Sequence, residues 1–269
     1  MPYTTDSYYH PAAGRIRLLA LAIACISLFV GPLAIESPAQ DPLTVAPQAY
    51  KLRFDNDRVK VVRVHYAPHE KLAVHDHPDK ATVFVYLNDS GPVRFRHKEG
   101  YSGNYSAVRP PTKARAYRLA GVQPENHEVE NLSDQPSDFL QIILKTEMDE
   151  SIKFRGRFFP EAREPNSNYR KVEFENGQVR ITRMVCAARG KCDPLELSTY
   201  PALAVALSPV DFKAEGKSGA SALKLSLGET RWFEPGHWKA YRNAGRMEAE
   251  LMIVEFISKP VQPTGSPKK

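Results

Sequence analysis

Phe54-Asp55-Asn56-Asp57-Arg58-Val59-Lys60-Val61-Val62-Arg63-Val64 returns 120 positions later as Phe174-Glu175-Asn176-Gly177-Gln178-Val179-Arg180-Ile181-Thr182-Arg183-Met184. Each copy opens on an acidic-Asn turn and runs into β-branched residues, the composition of a turn feeding a strand. The register persists, with Val83-Phe84-Val85-Tyr86-Leu87 opposite Leu203-Ala204-Val205-Ala206-Leu207. Near the end of each copy, Asn131 and Asn243 precede the similar apolar runs Phe139 to Leu144 and Leu251 to Ile257. A duplicated module of about a hundred residues follows. The copies are placed at residues 45–146 and 171–259, with a linker at 147–170 and a flexible tail at 260–269. Met148 to Arg170 carries Pro160, Pro165 and mixed charge, and is expected to contain one short helix. Inside each copy, short apolar or alternating runs are separated by turns such as Asn88-Asp89-Ser90-Gly91-Pro92. That pattern predicts an all-β fold, a sandwich or a barrel.

The 269 residues are 42% hydrophobic and 25% charged, which excludes disordered and fibrous classes. Twenty-two Pro speak against long helices. Residues Leu18 to Ile35 are almost continuously apolar, Arg15 and Arg17 precede them, and Ser37-Pro38-Ala39 offers small residues for cleavage. Residues 1–39 therefore read as a secretory signal peptide, which places the mature chain in the periplasm or outside the cell. An uncleaved membrane anchor is the alternative, since the run is long enough to span a bilayer. Cleavage removes two basic and two acidic residues (Arg15, Arg17, Asp6 and Glu36), so the net charge stays +6. Two cysteines then remain, Cys186 and Cys192, and either a disulfide or two buried thiols fits the spacing. The basic charge is scattered without a Lys/Arg block, which argues against nucleic-acid binding.

His75-Asp76-His77 carries the chemistry, answered by His127 with Asn131 behind it. Two His at i and i+2 on a strand share a face. A third His on a neighbouring strand can complete one side of a coordination sphere suited to iron, manganese, zinc, nickel or copper.

These residues resemble the cupin superfamily, small jelly-roll β-barrels that often hold a metal in the barrel mouth. The first stretch is Pro68-His69-Glu70-Lys71-Leu72-Ala73-Val74-His75-Asp76-His77-Pro78, and the second is Gly121-Val122-Gln123-Pro124-Glu125-Asn126-His127-Glu128-Val129-Glu130-Asn131. The resemblance implies two tandem jelly-roll barrels, the first binding one divalent transition metal through His75, His77 and His127. It also implies a Glu ligand near Ala81 or Thr82, where this chain has none. A three-His face occurs among cupins in thiol dioxygenases and some diketone-cleaving enzymes, and it leaves positions open for oxygen or substrate. Asp79 is a candidate to reach the site through a turn.

The second copy is read as degenerate. Leu195 and Leu197 replace the His pair, and Lys239 stands at the later His position. Trp232 and Trp238 flank His237, and core or interface packing is expected of them. His69-Glu70 is weighed as a ligand-orienting pair against a solvated turn. Tyr86 and Phe84 share strand parity and point to one barrel face. Glu125 and Glu128 flank His127 as candidate bases. Two functions stay open: metal-dependent oxygenation of a small organic molecule, and non-catalytic binding of a sugar-like molecule at the cell envelope. A structural role without metal and a homodimer are also left open.

Overall fold

A computed structural model describes residues 40–97, 106–122, 125–192, 199–215, 222–237 and 240–262. The signal-peptide expectation therefore lies outside the described residues, as do Leu195, Leu197, Trp238 and Lys239. Among the described residues the chain is β except for the short helix α1 (Pro42–Val45), whose first turn is capped by Asp41 Oδ1 accepting from the Leu43 N–H at 2.9 Å.

The first barrel is built from β1 (Tyr50–Asp55), β2 (Val59–Tyr66), β3 (Lys71–His77), β4 (Thr82–Tyr86), β5 (Val93–His97), β6 (Ser106–Arg109), β7 (Tyr117–Ala120), β8 (Glu125–Asn131) and β9 (Ser137–Leu144). The strand β10 (Gly156–Phe158) follows, and then β11 (Tyr169–Glu175), β12 (Val179–Cys186), β13 (Ala202–Ala206), β14 (Val210–Ala214), β15 (Ala222–Leu225), β16 (Thr230–Phe233), β17 (Tyr241–Asn243) and β18 (Ala249–Phe256) make the second. One sheet of the first barrel runs β1-β2-β9-β4-β7-β10 and faces another ordered β3-β8-β5-β6. The second barrel repeats this with β11-β12-β18-β13-β16 and β15-β14-β17. All pairings between named strands are antiparallel, the two-sheet arrangement of a jelly roll.

The duplication extends to individual hydrogen bonds. Asn56 Oδ1 accepts from the N–H groups of Arg58 and Val59, and Asn176 Oδ1 accepts from those of Gln178 and Val179. A bulge follows the same register in both copies, between Leu52 and Phe54 and between Val172 and Phe174. Asn131 donates to the carbonyls of Ala67 and Gln135, while Asn243 donates to those of Ala187 and Met247. Each buried amide thus ties the turn after one strand to the turn before another.

Strands β2, β4 and β9 are buried on both faces, because one face fills the barrel and the other packs on the second barrel. Val59, Val83 and Leu140 join Ile181, Leu203 and Val254 in one apolar cluster. Val62, Tyr66, Tyr86 and Phe139 point the other way, into the first barrel. Two-sided burial explains why these strands read as near-continuous apolar runs rather than alternating ones.

The stretch between the modules differs from its expectation. Among its described residues there is no helix, and β10 instead extends the first barrel's sheet by pairing with β7. Phe154 is 5% exposed in the inter-barrel core, and Phe158 stacks on Tyr117 with centroids 4.6 Å apart. These two rings hold the segment flat against the sheet. The stretch from 260, read as a tail, begins tied down: Val261 donates to the Lys145 carbonyl at 2.8 Å, beside the Thr146–Pro260 bridge. Cys186 and Cys192 form a disulfide inside the second barrel. Among the described residues, no helix is long and apolar enough to cross a membrane.

Candidate metal centre

Strands β3 and β8 pair so that His75 faces His127 and His77 faces Glu125. A β-bulge makes this possible. Leu72 faces Val129 and His75 faces His127, so β3 takes three steps where β8 takes two. Strict alternation would put Leu72 and His75 on opposite faces. The extra residue turns both inward, and they are 3% and 1% exposed. The carbonyl of Ala73, within the bulge, lies 2.8 Å from His75 Nδ1. A carbonyl only accepts, so Nδ1 carries the proton and the ring's lone pair sits on Nε2, the arrangement that orients metal-ligating imidazoles.

The three rings converge. His77 Nε2 lies 3.1 Å from His127 Nε2, and one nitrogen from each of His75, His77 and His127 falls within a span of 4.8 Å. Nitrogens bonded to one ion at about 2.1 Å stand roughly 3 Å apart when adjacent, so the His77–His127 spacing suits a shared cation. His127 is 2% exposed, and its buried Nδ1 has no hydrogen-bond partner. Burial pushes all three rings below the ordinary histidine value, His77 to about 3 and His127 well down, with neighbouring imidazoles adding to the effect at His77 and His127. The rings are neutral at physiological pH, the form that binds metal. The donor set fits a divalent transition ion, and these three residues form the one His/Cys/Asp/Glu cluster of this kind among the described residues.

A cavity of about 270 Å³ opens on the cluster, with His77 and His127 in its wall beside Phe84, Phe95 and Phe139. A larger hollow of about 770 Å³ lies beside Trp232 and His237 of the second barrel. It carries no such cluster among the described residues.

No family model matches the chain, and no curated protein matches it. Solved structures do. AerE from Microcystis aeruginosa superposes with a TM-score of 0.52 at 14% identity, over 77% of this chain and 97% of that one. YhaK from Escherichia coli gives 0.52 at 15% identity, over 80% and 89%. A single-site mutant of the oxalate decarboxylase OxdC from Bacillus subtilis gives 0.51 at 9% identity, over 79% and 76%. The fold is the cupin fold, in two copies. At these identities the likeness is one of architecture, and function has to be argued from the site.

Several positions depart from the cupin pattern or from their expected places. Ala81 packs in the inter-barrel core and Thr82 donates to the Lys80 carbonyl, so no carboxylate stands where a Glu ligand is usual. Asp79 is exposed in the turn after β3 and lies outside the cluster. Asp76 faces away, accepting from Asn126 Nδ2 at 2.5 Å. His69 bonds Asp134 at the surface and Glu70 accepts from the Ala67 N–H, so this pair shapes a turn and orients no ligand. Glu128 pairs outward with Arg96. Trp232 stacks on Phe54 across the inter-barrel contact, at 5.8 Å.

Three participants were undervalued or missed. Glu125 sits in the cavity wall with Oε2 3.6 Å from His127 Nδ1, and burial raises its carboxyl above the usual range. His97 on β5 faces His127 from the other side, with centroids 5.4 Å apart. Tyr50 donates from its hydroxyl to His75 Nε2 at 2.9 Å and bonds Tyr66 at 2.8 Å. These groups come from three different strands in two sheets, and no local spacing marks them.

Proposed function

We propose that the first barrel is a metal-dependent oxygenase site in an exported protein, with one divalent transition ion held by His75, His77 and His127. The observation that carries the reading is the convergence of three neutral, mostly buried imidazoles at the wall of an aromatic-lined cavity. When bound, such an ion supplies Lewis-acid and redox chemistry, and three protein ligands leave positions for exogenous ones. The chain's own residues prepare the site. The Ala73 carbonyl sets the His75 tautomer, and the Glu125 carboxyl lies 3.6 Å from His127 Nδ1. Phe84, Phe95 and Phe139 make part of the cavity wall apolar. Export is supported by the apolar Leu18–Ile35 run with its small-residue cleavage site, and by the Cys186–Cys192 disulfide, which suits an oxidising compartment.

Elemental analysis of the full chain purified without a His tag tests the metal. One transition ion per chain is expected, and His75→Ala or His127→Ala should lose it while the far-UV circular dichroism stays β-rich. Oxygen consumption by iron-loaded protein against a thiol and diketone panel tests the chemistry. The absent Glu at Ala81 and Thr82 favours a rival, a non-catalytic binder of small molecules. Stoichiometric metal and ligand binding without oxygen uptake on any substrate would decide for it.

A further inference from the structure

We propose that the cavity beside the three imidazoles takes the carboxylate of a small organic acid, held by the guanidiniums of Arg109 and Arg118, with its apolar body against Phe84, Phe95 and Phe139. This deepens the proposed function by naming a ligand class, and it rests on the reading of this cavity as the working site.

The two arginines come from opposite sheets, Arg109 from the end of β6 and Arg118 from β7, and both line the cavity. Three other arginines with low exposure are ion-paired. Arg63 bonds Asp138, Arg163 bonds Glu248, and Arg183 bonds both Glu173 and Glu250. Neither Arg109 nor Arg118 has an ion-pair partner among the described residues. Arg109 donates to Ser137 Oγ at 2.8 Å and lies over the Tyr86 and Phe139 rings, while Arg118 lies 4.4 Å from the Phe84 ring centroid. Both Nε atoms are sealed from solvent with no hydrogen-bond partner. Two guanidiniums without an ion-pair partner among the described residues, on one small cavity, offer N–H donors to a bound acceptor.

Charge points the same way. Arg157 is a third guanidinium in the wall, and Glu125 is the one acidic side chain among the wall's described residues. Burial pushes the Arg109 guanidinium below its ordinary value, the Tyr86 and Tyr66 hydroxyls oppose this, and Arg118 adds to it. The wall's described residues therefore carry an excess of positive charge, which favours an anion. Geometry selects the anion. A planar guanidinium fork matches a carboxylate through two parallel N–H bonds. The volume lies at or below the small end of the roughly 300–1,000 Å³ usual for ligand pockets, and Phe84, Phe95 and Phe139 give the wall an apolar side. A short or flat monocarboxylic acid fits this volume and charge.

The test is calorimetric titration of acetate, butyrate and benzoate, each against its amide, into the full chain stripped of metal and again after zinc is restored. At least one acid should bind about tenfold or more tightly than its amide. Arg118→Gln should abolish that preference while leaving amide affinity and zinc stoichiometry unchanged, and Arg109→Lys should weaken it by about tenfold. No acid outbinding its amide, or a preference that survives Arg118→Gln, overturns the inference. The wild-type comparison stands alone should either variant misfold. Acid preference without zinc binding sinks the metal reading and supports the carboxylate site. Zinc binding without acid preference does the reverse.

Discussion

Tyr50→Phe should weaken the metal-free protein and tighten its hold on metal. Tyr50 is 1% exposed, and its hydroxyl bridges His75 Nε2 at 2.9 Å and Tyr66 at 2.8 Å. With Nδ1 of His75 committed to the Ala73 carbonyl, Nε2 is the only lone pair this ring can offer to a cation. Tyr50 and a metal therefore compete for one nitrogen. In the metal-free protein, deleting the hydroxyl leaves that buried nitrogen unpaired and takes a partner from Tyr66, a loss of about 2 kcal/mol. In the loaded protein the nitrogen is already committed to the ion, so only the Tyr66 share is lost, about 1 kcal/mol. The difference, about 1 kcal/mol, appears as roughly fivefold tighter metal binding. Zinc competition against a fluorescent chelator near neutral pH reads the affinity, and urea unfolding of stripped and loaded protein reads the two stabilities. Tenfold weaker zinc binding in the variant would mean that the phenol is itself a ligand or holds one. Unchanged affinity would mean that the ion does not use the nitrogen facing Tyr50.

Three further outcomes follow from the same geometry. Asn243→Asp sets an acceptor against the carbonyls of Ala187 and Met247 where an amide donates at 3.1 and 2.9 Å; it should cost about 3 kcal/mol in urea unfolding, more than Asn243→Ala, with zinc stoichiometry intact. Replacing both Cys186 and Cys192 by Ser should cost about 2 kcal/mol, and reductant should lower the wild-type midpoint to that of the variant and leave the variant unmoved. In metal-stripped protein, stability should fall as pH drops below about 6.5, because the unfolded His77 ring takes a proton there while the folded ring, pushed down to about 3, stays neutral. The slope is at most about 1.4 kcal/mol per pH unit for this ring, and His77→Gln should make the curve shallower; an unchanged slope refutes the assignment.

What could be read along the chain is what repeats or alternates. The Asn56 and Asn176 turns share bonds because both copies keep the same acidic-Asn start, so the offset of 120 aligned real structural equivalents. That offset shrinks along the module: Asn131 answers Asn243, only 112 apart, because the second copy's later connections are shorter. Position-by-position matching therefore holds for β4 and β13 and has to be rebuilt from the Asn anchor beyond them. The linker departs from its expectation for a related reason. Prolines and mixed charge describe its solvent side, while Phe154 and Phe158, the residues that bind β10 to the barrel, give no periodic signal.

The site divides along the same line. His75 and His77 are visible as a pair because i and i+2 on one strand share a face. Yet that parity alone does not decide which face. Counted from the buried Leu72, strict alternation turns both imidazoles outward, and the bulge at Ala73 and Val74 reverses the answer. The bulge holds no glycine, so composition does not announce it. The same displaced backbone supplies the carbonyl that fixes the His75 tautomer, so one irregularity both aims the ring and readies its lone pair. Glu125, His97, Arg109 and Arg118 reach the cavity from β8, β5, β6 and β7, and only strand order brings them together. Duplication preserved the scaffold while the chemistry gathered at these cross-strand meetings. The second barrel keeps the same clasp through Asn243.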